Sequence, residues 1–423
     1  MSFKPYRGKT HNLEFNKGDI LVLFGELFNR GYANGLVEEA IQKEMKIVFS
    51  TVGRRDDKNI LRPLNQEEQE SRKYPDYPFI NLPLEAGFDL EPSSSKGLTP
   101  NDLCKEASLK EWANFKIDKD QIQESLMQGR LRFVKQVRDY LKELQKHIEP
   151  NKNIIFAHLM AGGVPRSKII LSVMNRVFKG RGERSILSKD FWNSDLGYFT
   201  QLSFNEVTAE TFRTLLEETT DLRNNHKGQI SYLAYGYHGT EIYFQDQLMW
   251  QSYAPYLQGY AKIKLEDYSK QFFNQNAKCC VYNCPEILTA SSSIFPGVEI
   301  SLYSLLAPLE KKSPSLFKKA ISLLKDENDF KKVQDTISSY WSNTEIKNQL
   351  TYFENWPQHS THSQMELMLK GSDDLIELHK SDKELITMLL SELVIKSCGK
   401  IMLHESRLPS QPVFWIGHDQ VLL

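Results

Sequence analysis

Tyrosines and lysines are crowded into the stretch QSYAPYLQGYAKIKLED, residues 251–267. A tyrosine hydroxyl can stabilise a developing oxyanion and relay a proton, and a nearby lysine favours the ionised form of the tyrosine. Such a pair suits nicotinamide-dependent reduction. Tyr260 and Lys264 are four residues apart and therefore share a helix face. Tyr256 and Lys262 are six apart, about 240° around a helix, so they diverge.

Tyr253 and Lys262 form a third possible pair. They are nine residues apart and would also diverge on one continuous helix. Pro255 lies between them, and proline favours the first helical turn while holding the preceding residue extended. Tyr253 then lies on the incoming loop, where it is free to face Lys262. Helix phasing alone does not choose between this pair and the pair of Tyr260 and Lys264.

The elements that must position these residues are buried strands alternating with helices. A helical pattern follows the first apolar run, and residues 119–147 have the periodicity of a long amphipathic helix. Strands that are apolar throughout are typical of a parallel sheet covered on both faces. We therefore predict an α/β, Rossmann-like, doubly wound parallel sheet with helices on both faces. The predicted strands are 18–24, 47–51, 79–84, 153–163, 229–236 and 277–284.

A glycine-rich turn follows the first predicted strand. Gly25, Gly31 and Gly35 lie at the strand end, the turn and the helix start. Glycine lets the backbone approach a pyrophosphate, and a helix N-terminus offers free N–H groups and positive potential to that anion. The spacing differs from the common G-x-G-x-x-G, so an unliganded tight turn remains the alternative.

The second predicted strand ends in STVGRRDD, residues 50–57. An acid at this place usually binds the ribose 2′-hydroxyl, whereas arginines accommodate a 2′-phosphate. Arg54 and Arg55 therefore favour NADPH, while Asp56 and Asp57 keep NADH open.

The chain has 423 residues, with 40% hydrophobic and 25% charged residues and a net charge of −1. No overall basic field indicates a nucleic-acid partner, and no apolar run is long enough to span a bilayer. The first residues lack the apolar segment of a signal peptide, so we expect a cytoplasmic protein. Three of the five cysteines lie in KCCVYNC, which reads as a buried strand rather than a metal site.

The chain divides by composition near residue 310. We expect residues 1–310 to form the cofactor-binding and catalytic domain, and residues 311–423 to form a helical C-terminal extension packed on it. The oligomeric state and the role of this extension do not follow from the sequence.

Several motifs together resemble a known family. GELFNRGYANGL, residues 25–36, resembles the cofactor turn of enoyl-thioester reductases that are similar to short-chain dehydrogenases. AHLMAGGVPR is similar to the end of that family's fourth strand, and YGYHGTE to the end of its fifth. The matching residues are Gly25, Asn29, Arg30, Gly31, Ala33, Gly35, His158, Ala161, Tyr237, Gly239 and Glu241.

The larger single-chain enoyl-ACP reductases and trans-2-enoyl-CoA reductases resemble the opening stretch more specifically. In that group eight residues separate the catalytic tyrosine from the lysine, as between Tyr253 and Lys262. The stretch ILTASSSIFPG, residues 287–297, is similar to the group's segment after the sixth strand. The other matching residues are Gly259, Ala261, Leu265, Glu266, Thr289, Ser292, Ser293 and Pro296.

The resemblance implies an NAD(P)H-dependent reductase of the double bond of a 2-enoyl thioester, carried by acyl carrier protein or coenzyme A. It implies Tyr253, Lys262 and Tyr237 as catalytic residues. The implied cofactor-binding residues are Gly25, Asn29, Arg30, Gly31, Gly35, Arg54, Arg55, His158, Ala161, Lys262, Thr289 and Ser292.

Two features depart from the family pattern. A few extra residues lie between Tyr237 and Tyr253, and the C-terminal region carries no motif that we can place. A carbonyl reductase of 3-oxoacyl thioesters using Tyr260 and Lys264, or a non-catalytic NAD(P)-binding protein, therefore remain alternatives.

Overall fold

A computed structural model describes residues 15–72, 76–253, 257–289, 295–350 and 358–422. Its strands are β1 (Ile20–Glu26), β2 (Lys46–Val52), β3 (Arg54–Arg55), β4 (Leu61–Arg62), β5 (Phe79–Leu84), β6 (Ile154–His158), β7 (Ile230–Tyr235), β8 (Thr240–Phe244), β9 (Gln247–Gln251), β10 (Lys278–Asn283) and β11 (Val413–Trp415).

The α-helices are α1 (Tyr32–Gln42), α2 (Gln66–Glu70), α3 (Pro100–Leu103), α4 (Lys119–Gln145), α5 (Lys168–Lys179), α6 (Ser188–Asn193), α7 (Asp195–Phe204), α8 (Thr211–Glu218), α9 (Thr220–Asn225), α10 (Gly259–Asn274), α11 (Ile300–Tyr303), α12 (Leu306–Lys312), α13 (Pro314–Ile321), α14 (Phe330–Ser342), α15 (His362–Glu377), α16 (Ile386–Arg407) and α17 (His418–Val421). Residues Asn205–Glu210 form a π-helical turn between α7 and α8.

Seven of the strands in the described residues form one parallel sheet in the order β11-β10-β7-β6-β1-β2-β5. Alternate residues of a strand face opposite sides of a sheet. In β1, Leu21 and Leu23 belong to one buried cluster with side chains of α1, α5 and α16. Ile20, Val22 and Phe24 belong to the other, with side chains of α4, α8 and α10. The predicted doubly wound sheet is confirmed.

The C-terminal residues contribute to the sheet as well as covering it. β11 pairs in parallel with β10 at the sheet edge, and α16 packs across α1. The crossing is close, since a Cβ atom on Gly35 would lie 1.9 Å from the Ile395 carbonyl oxygen. The expected division near residue 310 therefore does not follow the layers of the fold, because a short strand and a core helix lie beyond it.

An antiparallel hairpin, β8 paired with β9, lies between Tyr237 and Tyr253. It contains the extra residues noted in the sequence. The insertion extends the chain outside the main sheet and leaves both tyrosines near its ends.

No helix within the described residues is long and apolar enough to cross a bilayer. The five cysteines are buried free thiols, and Cys279 and Cys280 lie on β10 as predicted. No group of three potential metal ligands occurs in the described parts of the chain.

Candidate active site

A cavity of about 200 Å³ lies at the carboxyl edge of the sheet. The strand order reverses between β1 and β6, and such a reversal leaves a crevice in which α/β proteins bind ligands. The cavity is bounded by the start of α1 and by the segments that follow β6, β7 and β10. Its polar lining comprises Tyr32, Tyr235, Tyr237, Gln258, Lys262, Glu286 and Thr289.

A larger cavity, of about 390 Å³, lies between the β8–β9 hairpin and the helices α12 and α14. Its lining is mostly apolar and contains none of the residues matched by the sequence motifs. We therefore place the chemistry in the smaller cavity.

Lys262 reaches the cavity from the first turn of α10. Its side chain is buried, and its Nζ donates a hydrogen bond to the Tyr235 carbonyl oxygen over 2.7 Å. No ion pair joins it to another described residue. Burial lowers the pKa of Lys262 to about 8, because the charged ammonium loses water without gaining an anionic partner. A cation held in this way is available to a ligand.

Lys264, two residues later, has different surroundings. Its Nζ forms an ion pair with Glu210 over 2.6 Å and lies over the ring of Tyr268. Tyr260 packs edge to face on Trp192, with the ring centroids 5.2 Å apart. The alternative pair therefore has separate partners, and neither residue lines the cavity.

Tyr253 and Tyr237 lie together. Their ring centroids are 4.5 Å apart, and Tyr237 forms part of the cavity wall with Tyr253 buried behind it. The Tyr253 hydroxyl donates to the Cys284 carbonyl oxygen over 3.4 Å, a long contact that a better acceptor could replace. Burial raises the pKa of Tyr253 well above its usual range, and nearby Glu286 raises it further. Pro255 and Tyr256 lie outside the described residues.

Glu286 is a functional candidate that the sequence motifs did not select. It lies just after β10, and its Oε2 accepts a hydrogen bond from the Tyr237 hydroxyl over 2.9 Å. The Tyr32 hydroxyl bonds the adjacent Pro285 carbonyl oxygen over 2.5 Å. Burial raises the pKa of Glu286 to about 8. The sequence did offer one indication of a functional role for Glu286, because it is an acidic residue directly after an apolar strand.

The glycine turn combines a close backbone approach at Gly25 with an open helix start at Gly31. Gly25 has a φ of +112°, and a Cβ atom there would lie 3.2 Å from the backbone of Leu159 and Met160, at the end of β6. Gly31 is the N-cap of α1, and no side chain caps the helix. The first N–H groups of α1 are thus open to a pyrophosphate. Asn29 and Arg30 lie on the exposed turn, and Arg30 has a φ of +60°.

Gly35 has another role. Its backbone faces α16, where a Cβ on Gly399 would in turn lie 2.1 Å from the Gly35 carbonyl carbon. Gly35 therefore permits the close crossing of two helices, and its assignment to the cofactor site stays a prediction.

Arg54 and Arg55 are already paired with carboxylates. Arg54 Nη2 lies 2.8 Å from the buried Glu26 carboxylate, which Arg72 also binds over 2.6 Å. Arg55 Nε donates to Glu85 over 3.0 Å. Engaged guanidinium groups are less free to bind a 2′-phosphate, so the structure does not support the preference for NADPH drawn from their sequence position.

His158 lies inside the core rather than in the cavity. Its Nε2 is hydrogen-bonded to the Thr211 hydroxyl over 2.8 Å, and its ring stacks on Phe24. Burial, helped by the charge of Lys262, lowers its pKa well below the usual range. The structure thus places His158 outside the cavity, and its assignment to the cofactor-binding set stays a prediction. Ala161 and Thr289 do line the cavity, whereas Ser292 and Ser293 lie outside the described residues.

Tyr235, one of the residues that line the cavity, has a polar atom left unpaired by the described part of the chain. The Tyr235 hydroxyl is buried and has no hydrogen-bond partner among the described residues. Leaving a buried hydroxyl unpaired costs free energy.

Comparison with known proteins extends the match beyond the motifs. A family model described as enoyl-acyl carrier protein reductase FabMG matches residues 2–422. An apo structure of FabMG is 41% identical to the chain, covers 99% of this chain and 97% of its own, and has a TM-score of 0.93. An NADH-bound structure of FabMG is 36% identical over the same shares, with a TM-score of 0.79. No curated protein matches the sequence.

Proposed function

The chain belongs to the FabMG family of enoyl-acyl carrier protein reductases, and we propose that Tyr253, Tyr237 and Lys262 carry the reaction in this protein. It is an NAD(P)H-dependent oxidoreductase that reduces the carbon–carbon double bond of a 2-enoyl thioester. The observation that most supports these residues is that Lys262 and Tyr237 share one cavity at the sheet edge where the strand order reverses, with Tyr253 packed against Tyr237.

The reduced nicotinamide cofactor supplies the hydride. The uncapped start of α1 and the backbone at Gly25 and Gly31 would hold its pyrophosphate. Ala161, Thr289 and Lys262 would surround the nicotinamide half, in the cavity that they line. We favour NADH over NADPH because the carboxylates of Glu26 and Glu85 neutralise Arg54 and Arg55, and because a FabMG relative is NADH-bound.

The protein groups stabilise the charge that develops during reduction. When a hydride adds to the β-carbon, negative charge moves to the thioester oxygen. A tyrosine hydroxyl placed at that oxygen stabilises the enolate, and Tyr253 can exchange its long bond to Cys284 for this stronger acceptor. The Lys262 ammonium contributes a buried positive charge and a donor for ribose hydroxyls.

We propose acyl carrier protein as the natural carrier of the acyl group, in keeping with the family's description. We also place the reaction in the cytoplasm, because the five cysteines are free thiols, which reducing compartments maintain.

Turnover with matched substrates tests this function. NADH oxidation is measured with crotonyl-ACP and with crotonyl-CoA, for the wild type and the variants Tyr253→Phe and Tyr260→Phe. We expect a higher kcat/KM with crotonyl-ACP. We expect Tyr253→Phe to lower kcat by about 100-fold or more, the usual cost of one oxyanion donor, and Tyr260→Phe to change it little.

Two results would contradict the proposal. If the wild-type protein bound NADH but reduced neither thioester, the proposed reaction would be wrong. Full activity in Tyr253→Phe together with a large loss in Tyr260→Phe would transfer the chemistry to the alternative pair.

A further inference from the structure

Reduction of an enoyl thioester needs a proton as well as a hydride. The hydride forms the new C–H bond at the β-carbon. The electrons of the double bond then move toward the thioester carbonyl, and the substrate becomes an enolate. The enolate α-carbon must then gain a proton for the saturated product to form. The buried cavity therefore needs a proton donor and a way to replenish it.

We propose that Glu286 and Tyr237 form a proton-delivery pair, with Tyr237 as the donor facing the substrate and Glu286 as the positioning residue behind it. This inference depends on the proposed function of the same cavity. Both side chains line the cavity, and the Tyr237 hydroxyl lies 2.9 Å from Glu286 Oε2.

The surroundings of Glu286 favour a neutral carboxyl. Its side chain is 5% exposed, and no ion pair joins it to another described residue. Its Oε1 is 3.4 Å from the Ile287 N–H, a weak contact for a full negative charge. Burial accordingly raises its pKa to about 8. When neutral, the carboxyl can donate its O–H to the Tyr237 oxygen across the same 2.9 Å. This reverses the hydrogen bond that the carboxylate form accepts, and it leaves the Tyr237 hydroxyl proton free for the substrate.

The proton transfer balances within the pair. As Tyr237 gives its hydroxyl proton to the substrate α-carbon, Glu286 Oε2 gives its own proton to the Tyr237 oxygen. Tyr237 is thereby restored, and Glu286 is left as a carboxylate. The carboxylate regains a proton from water after the product leaves, so the pair is unchanged over one turnover.

Other titratable groups face Glu286 from each neighbouring element. Lys262 lines the same cavity, and its pKa is also about 8. Tyr32 and Tyr253 have pKa values raised well above the usual range, so both stay neutral in the relevant pH interval. Glu299, ahead of α11, raises the pKa of Glu286 further by like-charge repulsion, and the thiols of Cys284 and Cys398 act on the neighbouring Tyr32.

These groups set the sign of the pH dependence. Activity needs Glu286 protonated and Lys262 charged, and both conditions fail as the pH rises through about 8. Log kcat/KM of the wild type should therefore fall with a limiting slope of about −2 above that pH, since two protons are lost. Glu286→Gln removes one titration and should give a slope of about −1.

The first test is the pH profile of Glu286→Gln. Glutamine keeps an oxygen that accepts the Tyr237 hydrogen bond but has no acidic proton. At pH 7 we expect kcat to fall by about 10- to 100-fold, at the lower end of general acid catalysis, with KM little changed. In the Tyr237→Phe background the same substitution should cause no further loss, because the two residues act as one unit.

Glu299→Gln is the matched control. Glu299 is also a buried carboxyl, but it binds Ser372 and the Gly297 N–H and does not line the cavity. This variant should keep the wild-type slope whatever its effect on stability.

Infrared titration of the cofactor-free protein gives a readout that does not depend on turnover. The wild type should show a protonated-carboxyl band at pH 7 that disappears as the pH rises through about 8, and Glu286→Gln should lack that band. An active Glu286→Gln protein with the wild-type slope, or a wild type without the band, would overturn the proton-delivery pair while leaving the reductase function intact. A wild type with the band but without reductase activity would instead refute the function.

Discussion

The two ends of the cofactor crevice differ in how their charges are matched. At the β1–β2 end, Glu26 is bound by Arg54 and Arg72, and Arg55 is bound by Glu85. At the β7–β10 end, Lys262 and Glu286 are buried without an ion-pair partner among the described residues, and both pKa values lie near 8. Because the arginines at the first end are already paired with carboxylates, this end favours a nucleotide without a 2′-phosphate. Unmatched groups at the second end can change protonation near neutral pH, as proton chemistry requires.

Of three further effects, we expect the largest from a substitution at the β7–β10 end, where the buried ionisable groups have no ion-pair partner within the described ranges. Lys262→Ala removes the buried cation, and we expect kcat/KM for the enoyl thioester to fall by about 100-fold, the scale of one electrostatic contact in a closed site. Lys264→Ala, which removes a lysine that pairs with Glu210 outside the cavity, should lower it less than about threefold, as expected for a partly exposed ion pair. Steady-state kinetics on both variants, with thermal unfolding as a check of folding, distinguish the two lysines. Equal losses of kcat/KM in the two variants would show that Lys262 has no special role as the lysine in the cavity.

A smaller effect tests which glycines belong to the nucleotide end. Gly35→Ala should destabilise the fold by about 1–3 kcal/mol, because the added methyl group overpacks the crossing of α1 and α16. Gly31→Ala meets only the Asn34 side-chain nitrogen at 3.8 Å, so it should leave stability nearly unchanged. Urea unfolding of both variants measures the difference. A stable Gly35→Ala protein with weakened NADH binding would return Gly35 to the cofactor site.

We expect the smallest effect from a substitution at the β1–β2 end, where each arginine is paired with a carboxylate. Glu26→Gln leaves Arg54 and Arg72 without their shared carboxylate. We expect the ratio of NADPH to NADH affinity to rise by about tenfold, or about 1.4 kcal/mol, close to the lower limit for a charged hydrogen bond. Nucleotide titration by intrinsic fluorescence measures both affinities. Glu68→Gln, which releases Arg62 from a more exposed pair, serves as the control and should not change the ratio. An unchanged ratio in Glu26→Gln would mean that these arginines lie away from the ribose.

Much of the architecture was predictable because buried strands carry a local pattern. The apolar runs at β1, β2, β5, β6, β7 and β10 gave the parallel sheet, and the order of the motifs gave the enoyl reductase family, which the comparisons confirm. β11 was not predicted, because three residues are too short for a periodic pattern. The extra residues before Tyr253 likewise gave no indication of a hairpin.

The sequence by itself determined the parallel sheet, the residue types available for hydride-transfer chemistry and the family. Periodicity and motif spacing are properties of neighbouring residues, so they can be read along the chain. Only the tertiary structure decided which side chains meet. It gave Tyr260 and Lys264 different partners, paired Arg54 with Glu26, placed His158 in the core and brought Glu286 to Tyr237, 49 positions away. These outcomes depend on burial and on contacts between distant segments, which set pKa values and free charges and have no local pattern.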